Sequence, residues 1–583
     1  MAKQQPLKKQ QPLQKPVAKP KATSSKATSS IKSIFEYLEN HFSSKRNLYL
    51  FLLVALSAVF SFLCFDNKIS TANDDALYIE SGAKYARAFF AKDSWYTANA
   101  PLYPIILGLL IKIIGVRLML LKICSLLFFV AAIYFLFKTY EKRIPYIILI
   151  PALLLTAINF QFLMYASLTY TETFSLMIFG ITFFFLFRIL ENTEKESYAF
   201  RDHIPQYVFT GFLLLLMMVT RSVALGAVGV VFLYFAYRKK FAEAIASVVA
   251  FAVFFILYKS MVSIIWKPDA SQFAVQTRLM FQKDVYNPQL GNEDLWGFVV
   301  RFWGNCQIYI SSRFYYVLGF REEMSENSIP LTLFSIALVL WSLFLMHLKK
   351  QYTLLFSTLF YSALLAVTFI TLNVSWGQTR LIMIFMPFIL FSIFYIFYYY
   401  GTLFSFLQPL YLFIFFILFF TSISATVKQA ALRFPVFVEN INGDPTFGYT
   451  PDWQNYIKMT KWCAQNFPND TKSIAVRKAP MSFIFSNGKE FYPVYGTPTQ
   501  NADSLLIPFR ASHVNYLMTC ELRANPDMYV EGQIIGTMHR YAYYIQQKYP
   551  QAFQFVHQEG DVEESVLYKI NYNYIDSLKA AGK

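Results

Sequence analysis

Long apolar stretches closed by short clusters of charge follow one another through residues 47–427 of this chain. Runs such as Ile181–Leu186, Phe212–Val219 and Tyr411–Phe420 carry no charge and no polar face at helical spacing. One such run suits the core helix of a water-soluble domain; a long series does not. A helix crosses the hydrocarbon core with about 17–25 mostly apolar residues, and its backbone must satisfy its own hydrogen bonds there. The pattern therefore predicts a polytopic α-helical membrane protein. Its expected spans are Asn47–Phe65, Val116–Phe137, Ile144–Phe160, Thr173–Leu190, Gln206–Thr220, Ser222–Tyr237, Ala242–Ile265, Ser328–Leu348, Tyr352–Leu372, Leu381–Tyr399 and Pro409–Thr426. That is about eleven transmembrane helices, some of them short. Leu102–Gly115 is apolar but brief and reads as a surface or re-entrant helix, which closes a first outer loop over residues 66–115.

From residue 428 to 583 the material changes to mixed, water-compatible sequence. Asp452–Phe467 and Gln533–Tyr549 read as amphipathic helices. Ser473–Val476, Leu505–Phe509 and Val514–Thr519 read as strands, with Phe483–Tyr495 a strand pair folded about Asn487–Gly488 and Phe553–Tyr572 a closing hairpin. The expectation is a small C-terminal α/β domain.

Composition agrees. The 583 residues are 56% hydrophobic and 15% charged, with mean hydropathy +0.38, whereas soluble domains carry roughly 25% charged residues. The net charge of +17 is uneven: Met1–Ser30 hold seven Lys and no acid among Gln, Pro, Ser and Ala, a composition that builds no packed core. Residues 1–46 are thus expected to be a disordered basic cytoplasmic segment that fixes orientation and touches anionic lipid, rather than a nucleic-acid tail. No short apolar segment with a small-residue cleavage site precedes the first span, so Asn47–Phe65 is read as retained. With the N-terminus inside, the basic clusters Lys138–Arg143, Arg188–Arg201, Arg238–Lys240 and His347–Lys350 all fall on the cytoplasmic side, as the positive-inside bias requires. The C-terminal domain then lies outside a bacterial-type inner (plasma) membrane.

Five Cys and six His show no metal-ligand spacing, and Cys463 and Cys520 leave a disulfide open. The chain has no Walker loop, no Gly-rich dinucleotide turn and no Gly-x-Ser-x-Gly elbow. What remains is a set of charged residues that this topology places at the outer boundary: Asp74 and Asp75, Glu172, Arg221 and Arg380. Each has a bland reading as a helix-dipole partner or interfacial anchor. Acids and cations together at one level suit another task. Sugar transfer from a polyprenyl-phosphate carrier needs a carboxylate to take the acceptor's proton and cations to stabilise the departing phosphate.

The first outer loop resembles that of the GT-C membrane glycosyltransferases, especially glycosyltransferase family 39 and its protein mannosyltransferase and aminoarabinose transferase relatives. The matching residues are Asp74, Asp75 and Tyr78, then Pro101-Leu102-Tyr103-Pro104, then Ile114-Gly115. Thr171-Glu172-Thr173 resembles the family's second acidic position, Thr220-Arg221 its Thr-Lys/Arg motif, and Arg380–Pro387 its Arg before a Pro-containing span. The similarity covers residues 47–400. One departure is Asn99-Ala100, where aminoarabinose transferases carry a Lys.

The resemblance implies a GT-C fold and an inverting transfer of a hexosyl or pentosyl group to an envelope lipid, polysaccharide or protein. Asp74 would be the base, Asp75 its coupled neighbour, and Glu172 would orient acceptor or sugar. Arg221 and Arg380 would bind the carrier phosphate, with Tyr78 and Tyr103 in the substrate pocket. Cofactors are expected to be none, although metal-dependent relatives imply that Asp74, Asp75 and Glu172 could jointly hold a divalent cation. The partners implied are the polyprenyl-phosphate sugar, the acceptor and membrane lipid, with no nucleic acid. The alternative is a flippase of lipid-linked saccharides, against which stands the lack of a repeated Gly/Pro-broken helix pair.

Overall fold

Helix α1 (Ile34–Ser44) starts where the Ser33 hydroxyl accepts from the Glu36 amide, and runs into α2 (Arg46–Leu63), the first span. The computed structural model that shows this describes residues 33–91, 101–195, 197–267, 279–284, 290–323, 325–468, 472–525 and 528–581. The Lys-rich stretch before residue 33 and the Asn99-Ala100 departure lie outside the described residues.

After α2 come α3 (Asp74–Arg87) and α4 (Leu102–Ile114), and then α5 (Leu118–Tyr140) re-enters the bundle. At 13 residues α4 is roughly 20 Å long, too short to cross a hydrocarbon core of about 30 Å. It instead packs on α3 through a glycine contact. A Cβ on Gly108 would lie 2.9 Å from the Gly82 carbonyl and from Tyr85 Cβ. Gly108→Ala is therefore expected to overpack the pair and cost about 1–3 kcal/mol.

The expected span Ile144–Phe160 is not straight. It forms α6 (Tyr146–Ala157) and α7 (Phe160–Ala166), bent by 57°. Asn159 causes the break: its side-chain oxygen caps the Gln161 amide and its Nδ2 donates to the Val317 carbonyl at 2.7 Å, so it serves a new helix start. The bundle continues through α8 (Thr171–Asn192), α9 (Ile204–Thr220), α10 (Gly226–Tyr237) and α11 (Phe241–Ile265). It closes with Ile329–Leu348, Tyr352–Thr371, Met386–Leu403 and Gln408–Asn442. Among the described residues nine helices are long and apolar enough to cross a membrane, ten with the bent pair, and the shorter Ser222–Tyr237 segment accounts for the eleventh expected span. The chain is a multi-pass membrane protein. The last helix runs far beyond the expected end at Thr426, continuous over 35 residues with Pro435 inside it.

The bundle has two chemically different ends. At one, Arg143 pairs with Glu191 and Arg238 with Glu194. There too Lys240 donates to the Thr193 carbonyl, Tyr237 meets His347 at 2.7 Å, and Glu39 of α1 accepts from the amides of Tyr146 and Ile147. The basic turns of the sequence thus gather around α1. The other end carries α3, α4, the start of α8 and the C-terminal domain.

That domain holds a five-stranded sheet in the order β2-β1-β3-β5-β4, built from β1 (Ile474–Val476), β2 (Tyr492–Pro493), β3 (Tyr516–Cys520), β4 (Phe553–Glu559) and β5 (Ser565–Ile570). β1 pairs in parallel with β2 and β3, and the remaining pairs are antiparallel. Two expected strands are helices. Ala479–Phe485 replaces the first arm of the Phe483–Tyr495 pair, leaving only Tyr492–Pro493 extended after the Asn487–Gly488 turn. Its residues are buried on every face, so periodicity could not separate strand from helix, and Pro480 fits a helix's first turn. Ala502–Ala511 replaces the strand Leu505–Phe509 because Asn501 caps the Ser504 amide at 3.0 Å. Beyond the hairpin the chain forms a further helix, Tyr572–Ala580, started by the Asn571 side chain on the Tyr574 amide. Cys463 and Cys520 are both buried free thiols.

Candidate functional site

Asn73 sets the site. Its backbone lies in the left-handed region (φ 75°), which asparagine tolerates better than most residues, and this turn starts α3 with Asp74 and Asp75 in the first helical turn. Successive helical positions differ by about 100°, so the two neighbouring carboxylates diverge. Asp74 remains 40% exposed and forms an ion pair with Arg380. Asp75 is fully buried. It accepts from the Ser70 amide (3.0 Å), the Ser70 hydroxyl (2.9 Å) and its neighbour Ala76 N (3.0 Å). Burial pushes the Asp75 carboxyl up, opposed by the charge of Lys122 and by these hydrogen bonds.

A chain of contacts links the two acids indirectly. The Ser70 hydroxyl, donating to Asp75, accepts from Tyr170 at 2.9 Å. The Tyr170 ring lies 4.7 Å from the Arg380 guanidinium, and Arg380 holds Asp74 through Nη2 and Gln378 through Nε. Asp75 therefore positions the ring on which the Arg380–Asp74 pair rests.

Glu172 and Arg221 form the second pair. Glu172 sits in the first turn of α8, 4% exposed. It accepts from Arg221 at 3.0 Å, while the same Arg221 nitrogen reaches Thr171 Oγ1 at 3.2 Å. Arg221 occupies the C-terminal cap of α9, before the 3₁₀ turn Ser222–Leu225. The other oxygen of Glu172, Oε2, is buried with no hydrogen-bond partner among the described residues. A buried acceptor left unmade is costly, about 1–3 kcal/mol, so this oxygen is the clearest unfilled position in the cluster.

The two pairs face one place. The charges of Glu172 and Asp74 both act on Arg380, and Tyr78 feels Glu172, Arg380, Arg221 and Asp74. Tyr103 backs Tyr78 edge-on at 5.4 Å. It is fully buried, with its hydroxyl 3.1 Å from Ser125 and its ring 5.4 Å from Phe174. The carboxylates do not form one ligand set, because Asp75 is turned inward and Asp74 and Glu172 each hold an arginine. Among the described residues no group of three or more His, Cys, Asp or Glu is placed to hold a metal ion.

Lys122 does not stand out in the sequence. It lies inside α5, fully buried, and its ammonium donates to the carbonyls of Asp66 (2.8 Å) and Lys68, tying the loop after α2 to the bundle. Arg433 of the last long helix holds the Asp66 side chain at 3.1 Å. Lys122→Met would remove two charge-assisted hydrogen bonds, each worth about 1.5–3 kcal/mol. A clear drop in the thermal unfolding midpoint of the purified protein is expected, and an unchanged midpoint would show that the loop is held by other contacts.

No protein-family model matches the sequence, and no curated protein does either. Solved structures do match in shape. The oligosaccharyltransferase of Archaeoglobus fulgidus, solved with Zn and sulfate, aligns at TM-score 0.50 and 14% identity over 80% of this chain and 68% of that one. The AglB oligosaccharyltransferase of the same organism, bound to an inhibitory peptide and a dolichol-phosphate, aligns at TM-score 0.50 and 12% identity, over 91% and 75% of the two chains. ArnT of Cupriavidus metallidurans, bound to undecaprenyl phosphate, aligns at TM-score 0.51 and 11% identity, over 89% of this chain and 98% of ArnT. The chain has the GT-C fold. At these identities the likeness concerns architecture, and it agrees with what the loop over residues 66–115 resembles.

Proposed function

We propose that the protein is a glycosyltransferase that moves a sugar from a polyprenyl-phosphate-linked donor to an envelope acceptor at the outer face of the membrane. The observation that supports this best is the convergence of two Arg–carboxylate pairs, Asp74–Arg380 and Glu172–Arg221, at the end of the bundle opposite the basic turns. In this reading Asp74, whose side chain is 40% exposed, takes the proton from the acceptor hydroxyl as that oxygen attacks the anomeric carbon. Arg380 engages Asp74 and Gln378 with two of its three guanidinium nitrogens, and the remaining N–H donors are available to the carrier phosphate as the glycosidic bond breaks. Arg221 supplies the second cation. Glu172 Oε2 accepts from a substrate hydroxyl, and Tyr78, braced by Tyr103, forms the wall between the pairs. Attack opposite the leaving phosphate inverts the anomeric centre. Two fold relatives were solved with dolichol-phosphate and undecaprenyl phosphate bound, which suits a lipid-phosphate donor here.

The test is purified protein in detergent, given labelled polyprenyl-phosphate sugars and an extract of envelope acceptors. Release of polyprenyl phosphate that depends on Asp74 and Arg221 is the expected result. Intact donor moving between leaflets instead would make the protein a flippase.

The orientation is part of the same proposal and has its own check. A cysteine placed at Asn487 should be labelled from outside intact cells, and one at Lys239 only after permeabilisation. External labelling of both would overturn the inside assignment of the basic turns.

A further inference from the structure

The helix Leu295–Cys306 is held by one face. At its start the Asp294 side chain accepts from the Gly297 amide at 2.6 Å. Arg301, buried, donates to the carbonyls of Met280 and Gln282, both at 2.6 Å, and pairs with Glu293 at 2.9 Å. One turn on, Asn305 Nδ2 donates to the carbonyls of Phe369 (2.9 Å) and Leu372 (2.8 Å), at the end of the span Tyr352–Thr371, where a helix lacks donors of its own. The helix therefore caps a span at the level where that span leaves the hydrocarbon.

Its other face is apolar and bare. Leu295 and Trp296 are 88% and 71% exposed, and Val299, Val300 and Trp303 are exposed as well. With about 100° between successive positions, these five side chains share an arc of roughly 140°, and none carries a charge. The stripe continues onto the capped span. A Cβ on Gly304 would lie 3.6 Å from Val374, and Val374, Ile370 and Val367 are themselves exposed. An apolar patch that adjoins the lipid-facing side of a span and contains two Trp suits the bilayer boundary. Trp concentrates there, and an amphipathic helix lies in that plane with its apolar face toward the acyl chains.

The chain runs on without a break through the π-helical segment Gln307–Arg313 into Phe314–Val317. Arg313 Nε donates to the Gly377 carbonyl at 2.8 Å, one residue before Gln378, whose side chain accepts from Arg380 Nε at 2.7 Å. One rod thus joins the bare face to the Arg380 loop. We propose that Leu295–Cys306 is an interfacial helix, seated by this face in the leaflet on the Asp74 side, and that the seat sets the depth of the Arg380 loop against a lipid phosphate. The depth-setting role rests on Arg380 binding the carrier phosphate; the seat in lipid does not.

Full-length protein in phosphatidylcholine nanodiscs tests both. Cys124, the native cysteine that is not buried, is changed to Ser, and a spin label is attached at Val299→Cys. Its collisions with molecular oxygen, which gathers in hydrocarbon, should exceed those with a water-soluble nickel chelate, as at Leu257→Cys, exposed on the span α11. The reverse should hold at Gln554→Cys, exposed on β4. A Val299 label that behaves like the Gln554 label overturns the seat. So does one shielded from both reagents, because a second copy or another segment of protein then covers the face. Trp296→Glu with Val300→Glu should raise KM for a polyprenyl-phosphate sugar roughly tenfold with kcat nearly unchanged, since capture is weakened and chemistry is not. Trp296→Phe with Val300→Leu should keep the original KM. A KM unmoved by the glutamates, in a protein whose Val299 label sits in lipid, overturns the depth-setting role. A lipid-seated label in a protein that never releases carrier phosphate would refute the transferase reading while leaving the seat intact.

Discussion

Asp74→Asn is expected to lower sugar transfer at least ~10²-fold, the lower range for a positioned general base, while the protein stays folded and inserted. Amide for carboxylate keeps the shape and the contact with Arg380, but the amide cannot take a proton. Turnover with a defined polyprenyl-phosphate sugar is the measurement, with size-exclusion behaviour as the control for folding. Asp75→Asn provides the contrast. Its carboxyl is spent on Ser70 and Ala76, so the loss should follow weaker seating of Tyr170 and Arg380 and be accompanied by lower thermal stability. Normal turnover in Asp74→Asn would end the assignment of this acid as the base.

Arg221→Gln is expected to be comparably damaging, on the order of 10²–10³-fold in kcat, as for loss of a preorganised donor to developing charge. Two effects add. The departing phosphate loses a cation, and Glu172, 4% exposed, is left as a buried carboxylate without its counter-charge, a situation costing about 3–5 kcal/mol when one member of a buried pair is removed. The double variant Arg221→Gln with Glu172→Gln separates them. It should recover stability without recovering turnover. Recovery of both would make the pair a structural brace with no part in the chemistry.

The side chains that the fold brings together here were legible from residue order. Asp74, Glu172, Arg221 and Arg380 stand out because charges at span ends are conspicuous against apolar surroundings, and the alternation of basic turns sorted them to one end. Lys122 was not legible. A lone lysine within Leu118–Tyr140 resembles any side chain that snorkels to the interface, and only the fold shows its ammonium turned onto the carbonyls of Asp66 and Lys68. Ser70 and Tyr170 are ordinary polar residues until a turn brings them together. In the C-terminal domain the run Met481–Ile484 is buried all round, which erases the period that tells helix from strand. At Leu505–Phe509 the decisive signal was the capping Asn501, outside the apolar run itself.

The left-handed turn at Asn73 is held partly by the C-terminal domain, through the Met481 amide and through Lys478 on Thr71. Seating of that domain and shape of the acid-bearing loop are therefore one equilibrium, and thermodynamic reciprocity governs it. A substrate that binds only the assembled arrangement at 100 times its Kd would tighten the docking by about 2.7 kcal/mol. Conversely, a substitution in the sheet, far from any reacting atom, would register in assays as weakened substrate affinity.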